Sequence, residues 1–300
     1  MKVALLMNEG AGSAGAQGEL ARERARQLGW NVHLLGREQG SAKARAVAES
    51  GYDLVVAGGG DGTIREVVQG LADASRRVSF GVLPLGTGND LARALRMPLE
   101  VEPAIVALAS AQEEGRIIAM DLLELTHGQT KSVCANSVNG GIASLIREQM
   151  SPELKAKLGP LAFLWGALGS LTKLTRWTVC YRVDGGPNRE STVVAFVVAN
   201  GGSVGGGVQV APVARLDDGL FDLVLVHADA SVTELTIAAI QARFGDIFKS
   251  DCVDHIRCRE LQIVEQPADL DFTADGEALE GPLQGIRILP GALRAVVGES

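Results

Sequence analysis

Residues 53–63 constrain the fold most. There the apolar run Asp53-Leu54-Val55-Val56-Ala57 passes directly into Gly58-Gly59-Gly60-Asp61-Gly62-Thr63 and then into Ile64-Arg65-Glu66-Val67-Val68. A strand-length apolar run, a glycine turn and a helical pattern make the unit from which parallel sheets are built. The unit recurs. Val3-Ala4-Leu5-Leu6-Met7 reads as a strand ended by Asn8, Gly10 and Gly12, and residues 17–28 suit a helix with Leu20, Arg24 and Leu28 four apart. Asn31 to Leu35 is a second strand, an alanine-rich helix follows from about Ser41 as N-cap, and Val78 to Leu83 is the fourth strand. This rhythm predicts an N-terminal doubly wound, Rossmann-like α/β domain over residues 1–126, with a parallel sheet and helices on both faces.

The pattern changes after about residue 120. Segments 116–126, 131–138, 177–184, 191–199, 219–227 and 256–264 are strand-like, separated by turn clusters such as Asp184-Gly185-Gly186-Pro187-Asn188 and Asp217-Asp218-Gly219. Helical patterns occur only near 145–175 and 231–248. A second domain over 127–290 is expected, mostly antiparallel and read as a β-sandwich. The apolar run Leu293 to Val297, within 291–300, either stays with it or returns as a strand to the first domain.

Composition narrows the function. Glycine, 37 of 300 residues, far exceeds the usual ~7 %, which points to many tight turns or close backbone approaches to a ligand. A net charge of −8 argues against broad nucleic-acid binding, which needs a concentrated basic face. Cys134, Cys180, Cys252 and Cys258 lie far apart or singly, and no signal peptide precedes Met1-Lys2-Val3, so reduced thiols and a cytoplasmic location are expected. The longest uncharged stretch, Leu158 to Thr172, contains Gly159, Pro160, Gly166 and Gly169 and is too short for a spanning helix. Phe163, Leu164, Trp165 and Leu168 recur there at helical spacing, with Arg147, Lys155, Lys157, Lys173 and Arg176 around them. A core-facing helix and peripheral contact with the inner face of a membrane both fit that pattern.

Two loops carry chemistry. The glycines at 58–60 and 62 let backbone N–H groups approach an anion at a helix N-terminus. The loop is not a Walker A motif, lacking Gly-Lys-Ser/Thr, nor a dinucleotide fingerprint, lacking the third glycine. Pro84-Leu85-Gly86-Thr87-Gly88-Asn89-Asp90 repeats the arrangement after the fourth strand. In a doubly wound sheet both loops lie at the carboxyl edge, where one phosphate crevice can form. Asp61, Asp90 and Asp121 would repel a phosphate unless Mg²⁺ lay between.

The pair of loops, followed by Leu91-Ala92-Arg93, resembles the catalytic domain shared by diacylglycerol kinases, sphingosine kinases and bacterial YegS-like lipid kinases. Asn200-Gly201, Gly205-Gly206-Gly207, Pro212, Asp217-Asp218-Gly219 and Asp275-Gly276-Glu277 come in that family's order, so the likeness covers most of the chain. It implies an ATP-dependent kinase acting on a hydroxyl of a phosphatidylglycerol- or diacylglycerol-like lipid. On that resemblance Gly60, Asp61, Gly62, Thr63, Ile64, Arg65, Glu66, Thr87, Asn89 and Asp90 would hold ATP. Glu277 would accept the hydroxyl proton, with Asp275 a competitor, and Asp61 would serve catalysis beside Asp90 and Asp121 around Mg²⁺. A second cation, Mg²⁺ or Ca²⁺, would sit on Asp218 and the main-chain oxygens of Arg215 and Leu220. The active site is expected in the cleft between the domains.

Three positions depart from the family pattern. The first loop reads Asn8-Glu9-Gly10-Ala11-Gly12 rather than Asn-Pro-x-Ser/Ala-Gly, Gly36 stands near a usual nucleotide-contacting threonine, and Arg65 replaces an asparagine. Arg65 either pairs with a phosphate or faces solvent. Without the resemblance, Asp275-Gly276-Glu277 would read as an ordinary hairpin turn. Ser137-Val138-Asn139-Gly140-Gly141 either lines the lipid cleft or turns the chain. Cys252, His255 and Cys258 lack a fourth ligand for zinc, and His33, His127 and His227 stand alone as structural residues. The competing functions are a soluble small-molecule kinase such as an NAD kinase, which shares Gly-Gly-Asp-Gly-Thr, and a non-enzymatic nucleotide or lipid sensor. The apolar 158–172 segment and the second loop disfavour the former, and the set of acids at 61, 90, 121, 218 and 277 disfavours the latter.

Overall fold

A computed structural model of the chain describes residues 1–8, 15–36, 40–111, 113–141 and 175–299. The glycine-rich first loop at residues 9–12 and the apolar segment 158–172 lie outside them. Two compact units form, and their boundary falls inside two strands. Unit 1 holds Met1–Leu122, Leu216–Asp218 and Leu289–Ser300; unit 2 holds Leu123–Arg215 and Gly219–Ile288.

Unit 1 is α/β. Strands β1 (Val3–Asn8), β2 (Asn31–Leu35), β3 (Leu54–Gly59) and β4 (Ser79–Pro84) are parallel in the order β2-β1-β3-β4. The far end of the last strand returns here, with Arg294 and Ala295 pairing parallel to Ser79 and Phe80 of β4. All six residues of β3 and of β4 are buried, as strands covered by helices on both faces must be. Helices α1 (Ala16–Gln27), α2 (Gly40–Glu49), α3 (Asp61–Ala72), α4 (Asp90–Ala94) and α5 (Val101–Ser110) follow the strands. Gly70 lets α3 approach α2 closely, since a Cβ there would meet Ala44 Cβ at 2.7 Å. Because β2 and β3 leave β1 on opposite sides, the sheet has its topological switch point between β1 and β3, and the Gly58–Thr63 turn opens at its carboxyl edge.

Unit 2 is antiparallel. Its pairs include β5–β6, β7–β9, β8–β9, β9–β12 and β12–β13, from β5 (Ile117–His127), β6 (Thr130–Cys134), β7 (Ser137–Gly141), β8 (Trp177–Val183), β9 (Asn188–Ala199), β12 (Phe221–His227) and β13 (Val253–Cys258). The short hairpin of β10 (Ser203–Val204) and β11 (Val208–Gln209) follows β9, and β14 (Glu260–Glu265) pairs with β8 and with β17 (Leu283–Val296). The edge hairpin is β15 (Phe272–Ala274) with β16 (Glu277–Ala278), attached to β7. The main core gathers Leu123, Trp177, Tyr181, Phe196, Phe221 and Phe272. On the other face of β9 and β12 lies α6 (Val232–Phe244), started by a Ser231–Glu234 capping box and stopped by Gly245 at φ 79°.

Two expected strands are each broken into two. Segment 131–138 becomes β6 and β7 around Ala135-Asn136, and 256–264 becomes β13 and β14 at Arg259. In both places main-chain N–H groups bond to a distant aspartate instead of a neighbouring strand. Among the described residues, no helix is long and apolar enough to cross a membrane.

Candidate active site

In unit 1 the two glycine loops touch. Leu85 N donates to Gly59 O at 3.0 Å, and a Cβ on Gly86 would come within 2.5 Å of Gly60 Cα. Glycine is required at 86, and a Cβ on Gly60 would press on Gly86 Cα at 3.3 Å. Thr63 fills the space beside Gly59, where a Cβ would lie 2.5 Å from Thr63 Oγ1. No side chain caps α3, so its first-turn N–H groups face outward from a helix start, the arrangement that favours an anion. Gly62 and Thr87 are exposed at this edge. Ile64, by contrast, is buried in the core and its amide donates to Gly60 O at 3.1 Å.

Asn89 shapes the second loop. It adopts φ 55°, accepts a hydrogen bond from Gly86 N at 3.0 Å and donates one to Gly86 O at 2.8 Å. Its side chain thereby fixes Gly86 against Gly60. Gly88 is where the acids meet, since a Cβ there would stand 2.5 Å from Asp61 Oδ2 and 3.6 Å from Asp90 Oδ2. Two carboxylates bordering one vacant side-chain position are a hard-oxygen donor set that fits a divalent cation. Asp121, on β5, is buried in the same unit, accepting from Gly291 N at 2.7 Å and donating its own amide to Leu216 O at 2.6 Å. No group of three or more His, Cys, Asp or Glu able to hold a metal gathers among the described residues. Arg65 and Glu66 are half-buried on α3, and Glu66 packs against Gly40 at the start of α2.

In unit 2, Asp275 and Glu277 have different surroundings. Asp275, at φ 46°, and Gly276, at φ 83°, form the turn between β15 and β16. The Asp275 carboxylate accepts from Ala135 N at 2.7 Å, Asn136 N at 2.8 Å, Ser137 N at 3.1 Å and the Cys134 thiol at 3.1 Å. Four donors match the acceptor capacity of a carboxylate, so Asp275 holds the backbone in place. Glu277 is exposed. Burial first, then the neighbouring Asp275 charge, pushes the Cys134 thiol well above its usual range.

The 134–137 segment is the part that reading the sequence missed. While its amides bind Asp275, Ala135 O accepts from Asn200 Nδ2 at 2.8 Å, and Asn136 O accepts from Asn200 N at 2.8 Å and Gly201 N at 3.0 Å. It therefore ties two separate landmarks, Asn200-Gly201 and Asp275-Gly276-Glu277, into one assembly. Ser137 and Asn139 begin a strand here, with Asn139 Nδ2 donating to Ser137 Oγ at 3.0 Å. The only sequence signal was the Ser-Val-Asn-Gly-Gly run itself.

Arg215 is exposed, and Asp218 and Leu220 are half-exposed in the turn before β12. Cys258 points into the main core, whereas His255 pairs with Asp222 on the opposite side of β13 and stacks on Phe248 at 4.0 Å. His33 bonds Tyr52, His127 bonds Glu280 O and Ser132, and His227 meets Asp254.

An α/β unit with two apposed glycine loops and a pair of carboxylates at the carboxyl edge of its sheet has the parts of a phosphotransferase. Comparison with known proteins gives the class its particulars. Residues 2–124 match the diacylglycerol kinase catalytic domain, and residues 136–297 match the YegS C-terminal NAD kinase beta sandwich-like domain. A protein of Pseudomonas aeruginosa PAO1 named "Probable lipid kinase YegS-like" is 35 % identical over 287 residues, covering 93 % of this chain and 86 % of that protein. One of the same name from Serratia proteamaculans is 33 % identical, covering 97 % and 92 %. A crystal structure from Bacillus anthracis str. Sterne, provisionally named a diacylglycerol kinase, superposes with a TM-score of 0.81 at 25 % identity, over 99 % of this chain and 95 % of that one. The chain belongs to the YegS-like lipid kinases, enzymes that phosphorylate an alcohol acceptor.

Proposed function

We propose that this kinase takes the γ-phosphoryl group from ATP and transfers it to a hydroxyl of a phosphatidylglycerol- or diacylglycerol-like lipid. The contact of Gly60 with Gly86 carries the reading, because it brings two sets of main-chain donors to one edge with no side chain in the way. Gly60, Gly62, Thr63 and Thr87 would bind the phosphates, with Asn89 holding the second loop in shape. Arg65 and Glu66 would lie beside the nucleotide on α3. Asp61 and Asp90 would hold Mg²⁺, which supplies charge neutralisation at the phosphates when bound. Glu277 would take the proton from the lipid hydroxyl as its oxygen bonds to the γ-phosphorus and the bond to the β-phosphate oxygen breaks, releasing ADP. Exposure on the hairpin supports Glu277 in that role, and the four donors on Asp275 support a positioning role for Asp275. Asp218, with the main-chain oxygens of Arg215 and Leu220, remains the proposed second cation site. A cytoplasmic enzyme reaching its lipid at the inner face of the membrane fits this chemistry.

The test is a radiolabelled-ATP assay against total bacterial lipids in detergent micelles, run beside Glu277→Ala. A labelled lipid that falls by about 10²–10⁴-fold with the variant, at unchanged melting temperature, is the expected result. No labelled lipid, with label passing instead to NAD, would replace the lipid acceptor by a soluble one.

A further inference from the structure

The surface of α6 is unlike the other described helices. Its inner side, Leu235, Ala238 and Ala242, is buried, yet Val232, Ile237, Ile240 and Phe244 on the outer side are exposed, Phe244 at 78 %. At 100° per residue these four fall on one arc with Thr233, Thr236 and Arg243. Val213 is half-exposed beside it, following Pro212, which lies against Gly245 at the helix C-terminus. The helix is apolar on both sides although only one has a core to meet, and an exposed patch of this kind marks an interaction surface.

We infer that this outer face of α6 is a membrane-docking surface that lies in the lipid interface. The occupant is set by charge and size. The one acid of α6, Glu234, is held at the helix N-terminus by Ser231 N and Oγ, both at 2.7 Å, so the arc carries no exposed acid of its own. Its single charge, Arg243, suits lipid phosphates at the depth where an interfacial helix rests. Thr236 turns its hydroxyl inward onto Val232 O at 2.7 Å. Thirteen residues make a helix about 20 Å long, too short to span a bilayer and long enough to lie along one. A second copy of the chain fits less well. The five exposed side chains offer roughly 500 Å² on a convex helix, against about 800 Å² per partner in a stable dimer. The inference rests on membership of the lipid kinases, whose acceptor is itself embedded in lipid.

The experiment measures binding. The full chain is floated with vesicles of phosphatidylcholine, or of phosphatidylcholine with phosphatidylglycerol, at low and high salt. Wild type is expected to bind both, the anionic vesicles more strongly, and to keep most of its binding in high salt. Ile240→Ser with Phe244→Ser should weaken partitioning by about a hundredfold, roughly tenfold for each apolar side chain removed, at unchanged helical signal. Independently, Phe244→Trp should shift its emission to the blue on adding vesicles. Wild type that floats with neither vesicle, a double variant that binds like wild type, or no spectral shift at position 244 would overturn the inference. So would a wild-type dimer that the double variant converts to monomer, since the face would then join two copies. Binding is read without ATP, so failure to phosphorylate any lipid would refute the proposed reaction and not this surface.

Discussion

Unit 2 contains the same hairpin device twice. Asp184-Gly185, between β8 and β9, and Asp275-Gly276, between β15 and β16, both place the aspartate in the left-handed region, at φ 48° and 46°. Each aspartate donates its own amide to a distant carbonyl, Asp184 to Glu260 O and Asp275 to Ser137 O, and accepts that same residue's amide on its carboxylate. Each breaks a strand elsewhere, and each lies near a buried thiol, Cys258 or Cys134. The two hairpins differ in the residues just after the aspartate. Asp184 leads into Gly185-Gly186-Pro187, which only turns the chain; Asp275-Gly276 leads into the exposed carboxylate of Glu277. On the proposed function, the aspartate of this three-residue motif is scaffold and the glutamate is chemistry. Its aspartate is a fold element that unit 2 uses twice, and an exposed glutamate follows only one of the two copies.

The comparison can be broken experimentally. Asp275→Ala should cost about 3 kcal/mol in urea unfolding, because it strips the partners from three amides and a buried thiol at once. If that variant keeps wild-type stability and loses all activity, Asp275 is chemistry and the comparison fails. Asn89→Ala removes the unit 1 counterpart, a left-handed residue that holds only its own loop. A loss of about 1–2 kcal/mol with weakened ATP binding is expected from equilibrium titration. Asp184→Ala should cost about 1 kcal/mol, since it too frees two amides but on an exposed turn, and lipid phosphorylation should be unchanged. A further effect is one of pH. Burial, then the charges of Asp184 and Asp222, push the Cys258 thiol up to about 12 from its usual 9.0. The unfolded chain loses that proton near 9.0 while the folded one keeps it. The stabilisation is therefore full below 9.0 and drains away as pH rises toward 12. Unfolding midpoints should fall over that interval, and less steeply in Asp184→Ala.

The same division separates the legible parts of the sequence from the hidden ones. The four parallel strands, their helices and both glycine loops were legible because each is written in a contiguous stretch. Apolar runs of strand length lead into glycine turns, and Asn89 bonds a residue three positions away. The helical pattern near 231–248 was legible as α6 for the same reason. The split of 131–138 at Ala135-Asn136 was not legible, because its cause, Asp275, lies 139 positions from Asn136. The split at Arg259 depends on Asp184, 75 positions back. The amide that meets the Asp121 carboxylate, from Gly291, lies 170 positions on. The α/β rhythm, the two glycine loops and the motifs that mark the kinase family could be read from the sequence alone, because each rests on local backbone geometry and glycine. The donors that meet Asp275, Asp184 and Asp121 were set by the tertiary structure, because they come from distant parts of the chain.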